Sequence, residues 1–166
     1  LIAARPRQGK TRIGLQLLVD AVRAGRRAVF FTLEYTGDQA RELLAGIGAG
    51  GDLPEIVATD GIDAAAIQRH LAQAPAGTLA VIDYLQVLDQ RRDTPPLAQQ
   101  IAALRDFARE REVTLAFIAQ VDRAFDPVST PLPSLADLRL PNPVPVELFT
   151  KACFAHAGAT QVQALG

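Results

Sequence analysis

The octapeptide ARPRQGKT, residues 4–11, sets a lysine and a hydroxyl side by side behind a short glycine-containing turn. Such a pair is suited to polyphosphate. A turn through Arg5, Pro6, Arg7, Gln8 and Gly9 can wrap phosphate oxygens in backbone N–H groups. A helix starting there adds the partial positive charge of its N-terminus, and Lys10 supplies an ammonium for the outer phosphates. Thr11 can offer its hydroxyl to Mg²⁺. The pattern G-x-x-x-x-G-K-[ST] is met except at its first glycine, which is Ala4 here; glycine serves at such a position when φ is positive or a Cβ would clash.

Three further residues have the chemistry to complete such a site. Asp83 closes the apolar run LAVID, and a carboxylate at the carboxyl edge of a parallel sheet, beside the strand that feeds the phosphate loop, can hold Mg²⁺ through water. Glu34 ends VFFTLE and can orient an attacking water as general base. Gln120 follows LAFIA, where an amide can sense a departing γ-phosphate. Taken singly, each is also an ordinary turn, strand-end or loop residue.

Positioning these groups requires strand ends and helix starts at the right places. The run LIAA leads straight into the turn, and Ile13, Leu17, Leu18, Ala21 and Val22 then repeat at helical spacing up to Gly25. RRAVFFTLEYT predicts a strand covered on both faces. Thr36 and Gln39 form a T-x-x-Q capping box that launches a helix to about Gly46. EIVATD predicts a short third strand, with Asp60 and Asp63 able to cap a helix carrying Ile67 and Leu71. TLAVIDYLQVL and VTLAFIAQ predict a fourth and fifth strand, separated by the polar loop DQRRDTPP and an amphipathic helix through Leu97, Ile101, Leu104 and Phe107. Strand and helix alternate with short links, the pattern of an α/β fold with a mainly parallel sheet. From Val121 the chain carries six of its eleven prolines within 26 residues, which predicts an extended surface loop. A closing β-hairpin is expected to turn near Ala157 to Thr160.

Composition narrows the function classes. The 166 residues suit one domain, spanning 1–166, and 49% hydrophobic with 21% charged residues is ordinary for a folded protein. Seventeen basic and eighteen acidic side chains leave a net charge of -1, so any contact with nucleic acid must be local. A single cysteine, Cys153, rules out an internal disulfide, and the few Cys and His residues exclude a zinc ribbon. No apolar run reaches membrane-spanning length, and no signal peptide precedes the first strand, so a cytoplasmic location is expected. The chain opens on a strand without methionine, as expected of a larger protein whose N-terminal region is absent.

In order and spacing, LIAARPRQGKT, FFTLEYTGDQ, VIDYLQVL, FIAQVDR and PSLADLR resemble the RecA-like ATPase domain of DnaB-type replicative helicases, and most closely the small DnaB-like proteins of proteobacteria. The resemblance implies a RecA-like P-loop NTPase fold that uses ATP and Mg²⁺. Lys10 and Thr11 would bind phosphate and metal, Asp83 would complete the metal site, Glu34 would be the catalytic base and Gln120 the γ-phosphate sensor. It also implies a homo-oligomer, with single-stranded DNA meeting the loops that hold Arg91, Arg92 and Arg123. Two stretches depart from the family. DLR runs into LPNPVPV, and KACFAHAG keeps Lys151 but has Cys153 or Phe154 where an arginine finger is expected, which predicts slow or differently triggered hydrolysis. The competing expectation is a degenerate nucleotide-binding module that regulates or assembles without productive turnover. A small-molecule kinase would require an arginine-rich lid, and none is present.

Overall fold

Every apolar run with strand character joins one sheet. The computed structural model describes residues 1–85, 88, 94–139 and 145–165. The strands are β1 (Ile2–Ala4), β2 (Ala28–Thr32), β3 (Glu55–Val57), β4 (Leu79–Asp83), β5 (Thr114–Val121), β6 (Leu138–Arg139), β7 (Lys151–His156) and β8 (Ala159–Ala164). The helices are α1 (Lys10–Arg23), α2 (Gly37–Gly46), α3 (Ala64–His70) and α4 (Leu97–Glu110). The sheet runs β3-β2-β4-β5-β1-β7-β8, with β6 on β5; among the described residues only β6 and β8 are antiparallel to their partners.

The central strands are buried on both faces because helices cover both. Phe30, Val81 and Ile118 pack with Leu15 and Leu18 of α1 and Leu44 of α2. Their alternate neighbours Phe31, Ile82 and Phe117 pack with Ile67 of α3 and with Ile101 and Leu104 of α4. Two-sided cover explains why β2 reads as a continuous apolar run and not as an alternating one. Within the described residues, no helix is long and apolar enough to cross a membrane.

Helix α1 approaches the sheet closely at Gly14. A Cβ there would lie 3.0 Å from Val81 Cγ1 and 3.1 Å from Ile118 Cδ1. Glycine inside a helix costs about 1 kcal/mol relative to alanine, so the close contact is what this residue secures. Gly14→Val is expected to lower stability by about 2–3 kcal/mol through overpacking. Urea denaturation checks this: a wild-type midpoint for the variant would mean that α1 sits further from β4 and β5.

Most of the predicted boundaries hold, with local corrections. Thr36 and Gln39 make the full capping box, Gln39 N–H donating to Thr36 Oγ1 at 3.3 Å and Thr36 N–H donating to Gln39 Oε1 at 2.9 Å. Asp63, not Asp60, caps α3, accepting from Ala66 N–H at 2.7 Å. β4 stops at Asp83, short of the run that follows it in sequence. Within residues 121–139 the proline-rich segment is not simply an extended surface loop: it buries Phe125, makes a 3-10 turn at Leu135–Asp137 and adds β6 against β5. Buried Gln100 of α4 donates to the carbonyls of Leu88 and Pro95 and accepts from Ala64 N–H, tying the β4–α4 connection to α3. Arg91 and Arg92, in the polar loop before α4, lie outside the described residues.

Candidate functional site

The parallel strands deliver their carboxyl ends to one edge, and register sets which side chains meet there. Ala4 pairs with Gln120 across β1 and β5, while Thr32 pairs with Asp83 across β2 and β4. Thus β5 lies between β1 and β4: Asp83 is not on the strand beside the phosphate loop, as the sequence had implied, but one strand further. Thr11 closes that distance, its hydroxyl donating to Asp83 Oδ2 at 3.0 Å.

The phosphate loop has its left-handed residues at Arg7 (φ 63°) and Gly9 (φ 84°). Ala4, by contrast, is a buried strand residue with no positive φ, so alanine is tolerated at the pattern's first glycine. Gly9 caps α1 without a side-chain hydrogen bond, and the first helical bond runs from Ile13 N–H to Gly9 O. The N–H groups of Lys10, Thr11 and Arg12 therefore have no acceptor within the helix. Two of the predicted loop residues brace the loop from outside. Gln8 Oε1 accepts from Ala157 N–H at 2.8 Å, and Arg5 Nη2 donates to Arg123 O at 3.4 Å.

A cleft of about 410 Å³ opens above this loop. Pro6, Arg7, Gly9, Lys10 and Thr11 line it from one side; Glu34, Tyr35 and Gln120 line it from the other. Glu34 is exposed, and its turn is held by Thr32, whose buried hydroxyl accepts from Glu34 N–H at 3.0 Å and Tyr35 N–H at 3.3 Å. Sequence reasoning missed the roles of Thr32 and Tyr35. The signal was a hydroxyl two residues before an acid at the end of an apolar strand, the spacing of a serine/threonine turn.

Asp83 is fully buried, and burial raises its carboxyl pKa to about 6; the nearby charge of Glu34 pushes the same way, against the Thr11 hydroxyl and Lys10. Burial likewise raises the Tyr35 phenol, with a hydrogen bond to Thr11 opposing. Asp83 Oδ1 is buried without a hydrogen-bond partner. An orphaned carboxylate oxygen beside a hydroxyl and a second acid fits a hydrated divalent cation. Among the described residues no group of three or more His, Cys, Asp or Glu gathers to cage a metal.

On the far side of β1, β7 carries the stretch expected to hold an arginine. Phe154 is 1% exposed and packs with Ala3, Ala119, Val121 and Phe125; Cys153 is half-buried, and burial raises its thiol pKa. Neither supplies a cation, while Lys151 is exposed at the start of the strand.

Residues 54–142 match the family described as DnaB-like helicase C terminal domain, a segment that holds Asp83 and Gln120. No curated protein matches the chain. Among solved structures, an ATPase domain superposes with a TM-score of 0.70 at 19% identity, over 92% of this chain and 66% of its own. A DnaB-like replicative helicase, studied for its interactions with primase, gives 0.69 at 20% identity, over 92% of this chain and 45% of its own. A KaiC-like protein from the hyperthermophilic archaeon Pyrococcus horikoshii OT3 gives 0.63 at 16% identity, over 92% and 68%. The fold is thus the RecA-like one, a mainly parallel sheet flanked by helices, and the chain spans less than two thirds of the first two structures.

Proposed function

The chain belongs to the DnaB-like helicase C-terminal domain family, and from that premise we propose that it is a Mg-ATP-binding P-loop ATPase whose turnover serves DNA-associated work. The observation that carries this reading is the 3.0 Å hydrogen bond from Thr11 to buried Asp83, which joins the phosphate loop to a carboxylate with one oxygen still unpartnered. Lys10 and the open N–H groups of α1 hold the phosphates. Glu34 takes a proton from the attacking water, and Gln120, in register with the residue that starts the loop, donates to the terminal phosphate as charge builds on its oxygens. Thr11, and Asp83 through water, would hold Mg²⁺, which when bound would supply positive charge to the phosphates. No general acid is needed, because the leaving group is itself a phosphate anion.

Single-stranded DNA is the partner this reading assigns to the exposed loop after β5. Arg123 would meet a backbone phosphate there, and Arg5 ties that loop's main chain to the phosphate loop. ATP turnover with and without single-stranded DNA tests both parts. DNA is expected to raise the rate, and Arg123→Ala to remove most of that rise while leaving the DNA-free rate within about twofold; loss of a single phosphate contact should also reduce the salt slope of DNA affinity by about one. A DNA-independent rate would confine the protein to ATP hydrolysis alone.

The buried Phe154 on β7 favours a second reading, in which nucleotide binding regulates assembly with little turnover. An arginine finger is worth roughly 10³–10⁵ in rate in other phosphoryl-transfer systems, so a chain that lacks one should turn over slowly unless another subunit supplies the cation. Native mass measurement with and without Mg-ATP separates the two: assembly without turnover supports the regulatory module.

A further inference from the structure

The two edges of the sheet are built differently. At one end β3 is three residues long and carries Glu55, ion-paired to Arg27 at 2.9 Å. A short, charged strand keeps a sheet edge from pairing with another chain. At the other end β8 spans six residues, all exposed, and pairs with β7 without a bulge from Lys151 and Ala164 to His156 and Ala159. Residues 152–166 contain no Asp, Glu, Lys, Arg or Pro, so this edge has none of the usual protection. We propose that β8 is a self-association edge, which pairs antiparallel with β8 of a second copy of this chain about a two-fold axis at Val162. The pairing needs no nucleotide and stands apart from the ATP-binding reading.

Three observations select a second copy as the occupant. The first is the direction of the main chain. Cys153 N–H donates to Leu1 O at 2.8 Å, so the polar groups of Cys153 face β1, and Val162 opposite it on β8 is a non-hydrogen-bonded partner. The N–H and C=O groups of Thr160, Val162 and Ala164 therefore point to the open edge, while Leu165 N–H faces back and donates to Thr150 O at 2.9 Å. The second is an apolar row that runs out at this edge. Ile118, Ile2, Cys153 and Val162 stand side by side on β5, β1, β7 and β8. Their exposure rises from 0% and 3% at the isoleucines, through half-buried Cys153, to 65% at Val162. A second β8 continues the row with its own valine. The third is the sequence of β8, ATQVQA, which reads almost alike in both directions about Val162, as a self-complementary contact requires. With the axis there, Val162 meets Val162 of the second copy, Gln161 meets Gln163 and Thr160 meets Ala164. Every main-chain group on the open edge gains a partner, roughly six hydrogen bonds in all. Each glutamine amide faces another that both donates and accepts. The outer edges of the pair are then both β3, short and charged, so growth stops at two.

Sedimentation equilibrium of the nucleotide-free protein tests the pairing in wild type and three variants whose substituted side chains are exposed, with melting curves to establish that each folds. Wild type is expected to reach the mass of two chains at about 100 µM and to dissociate on dilution towards about 1 µM, as suits a contact of small area. Val162→Lys sets like charges opposite each other on the axis and is expected to weaken association at least about tenfold. Gln161→Lys with Gln163→Lys should do the same, whereas Gln161→Glu with Gln163→Lys sets opposite charges across both glutamine pairs and should stay within about threefold of wild type. A wild type that remains a single chain at about 100 µM overturns self-pairing and leaves the edge to a strand of another protein. Association that Val162→Lys does not weaken places the contact elsewhere and overturns it too. So does a mass above two chains, which requires a head-to-tail contact in place of the two-fold. Equal loss in the opposite-charge and like-charge double variants overturns the axis at Val162.

Discussion

Glu34→Gln should bind Mg-ATP as wild type does and hydrolyse it about 10²–10⁴-fold more slowly, the range spanned by loss of a general base. The expectation follows from the division of labour within the cleft. In the proposed reading the phosphates are held by Lys10 and the start of α1, while the backbone turn that carries Glu34 is fixed by the Thr32 hydroxyl, not by the Glu34 carboxylate. Removing the charge therefore leaves the cradle intact and takes away the proton acceptor. Lys10→Ala is expected to give the opposite signature, weaker binding with an unchanged fold, since the proposed reading has Lys10 supply the mobile cation to the phosphates. Binding is measured by calorimetry and turnover by phosphate release under single-turnover conditions, so that product release does not hide the chemical step. Equal turnover in wild type and Glu34→Gln would sink the assignment of Glu34 as base, and Thr32→Val, which frees the turn, should then be equally silent.

Fold and site were legible in the sequence to different depths. The parallel sheet could be read because β2, β4 and β5 are covered on both faces and so appear as unbroken apolar runs, and α4 because its buried stripe repeats at helical spacing; α1 was read as a helix, but its buried face is Leu15, Leu18, Val19 and Ala21, with the expected Leu17 42% exposed. The capping box at Thr36 and Gln39 was legible because both of its bonds are local. Strand order was not. The insertion of β5 between β1 and β4 is a long-range matter of which crossover lands where, and nothing within either run encodes it. Gly14 reads as an ordinary weak point in a helix until the sheet is placed 3.0 Å from its absent Cβ. In the candidate site, Lys10 and Thr11 could be picked out from the phosphate-loop pattern, and Glu34 and Gln120 because each stands at the end of an apolar run; the cleft gathers all four. Arg5 and Gln8 share the loop's sequence pattern but turn outward to Arg123 and Ala157, contacts that exist only once the distant loop and hairpin fold back. The proline count from Val121 onward predicted an extended surface loop but could not show that Phe125 inserts into a small core beside Phe154.

Asp83→Asn is expected to separate stability from function. In wild type without ligand the carboxyl is fully buried with one oxygen unpartnered, and its pKa stands near 6 against an ordinary 3.8. A folded-state pKa above the unfolded value means that the protonated form folds more favourably, so the associated stability is fully present below about pH 4 and is lost as pH rises through about 6. At pH 7.5 the ionised group therefore costs the ligand-free protein about 2–3 kcal/mol, which an amide, still able to accept from Thr11, would largely recover. The variant should melt above wild type at pH 7.5 without nucleotide, and the gap should close at pH 4, where both side chains are neutral. Adding Mg-ATP should reverse the order: wild type gains a charge-paired carboxylate, the variant does not, and its turnover falls by at least about 10²-fold. Melting curves at the two pH values, each with and without Mg-ATP, read all four states. A ligand-free variant that melts below wild type at pH 7.5 would mean that the Asp83 charge is already compensated within the protein, and the case for a cation beside Thr11 would fall with it. The expected result would identify a carboxylate kept at a cost in stability for what it binds, the usual mark of a working site in a fold that is otherwise consistent with its sequence.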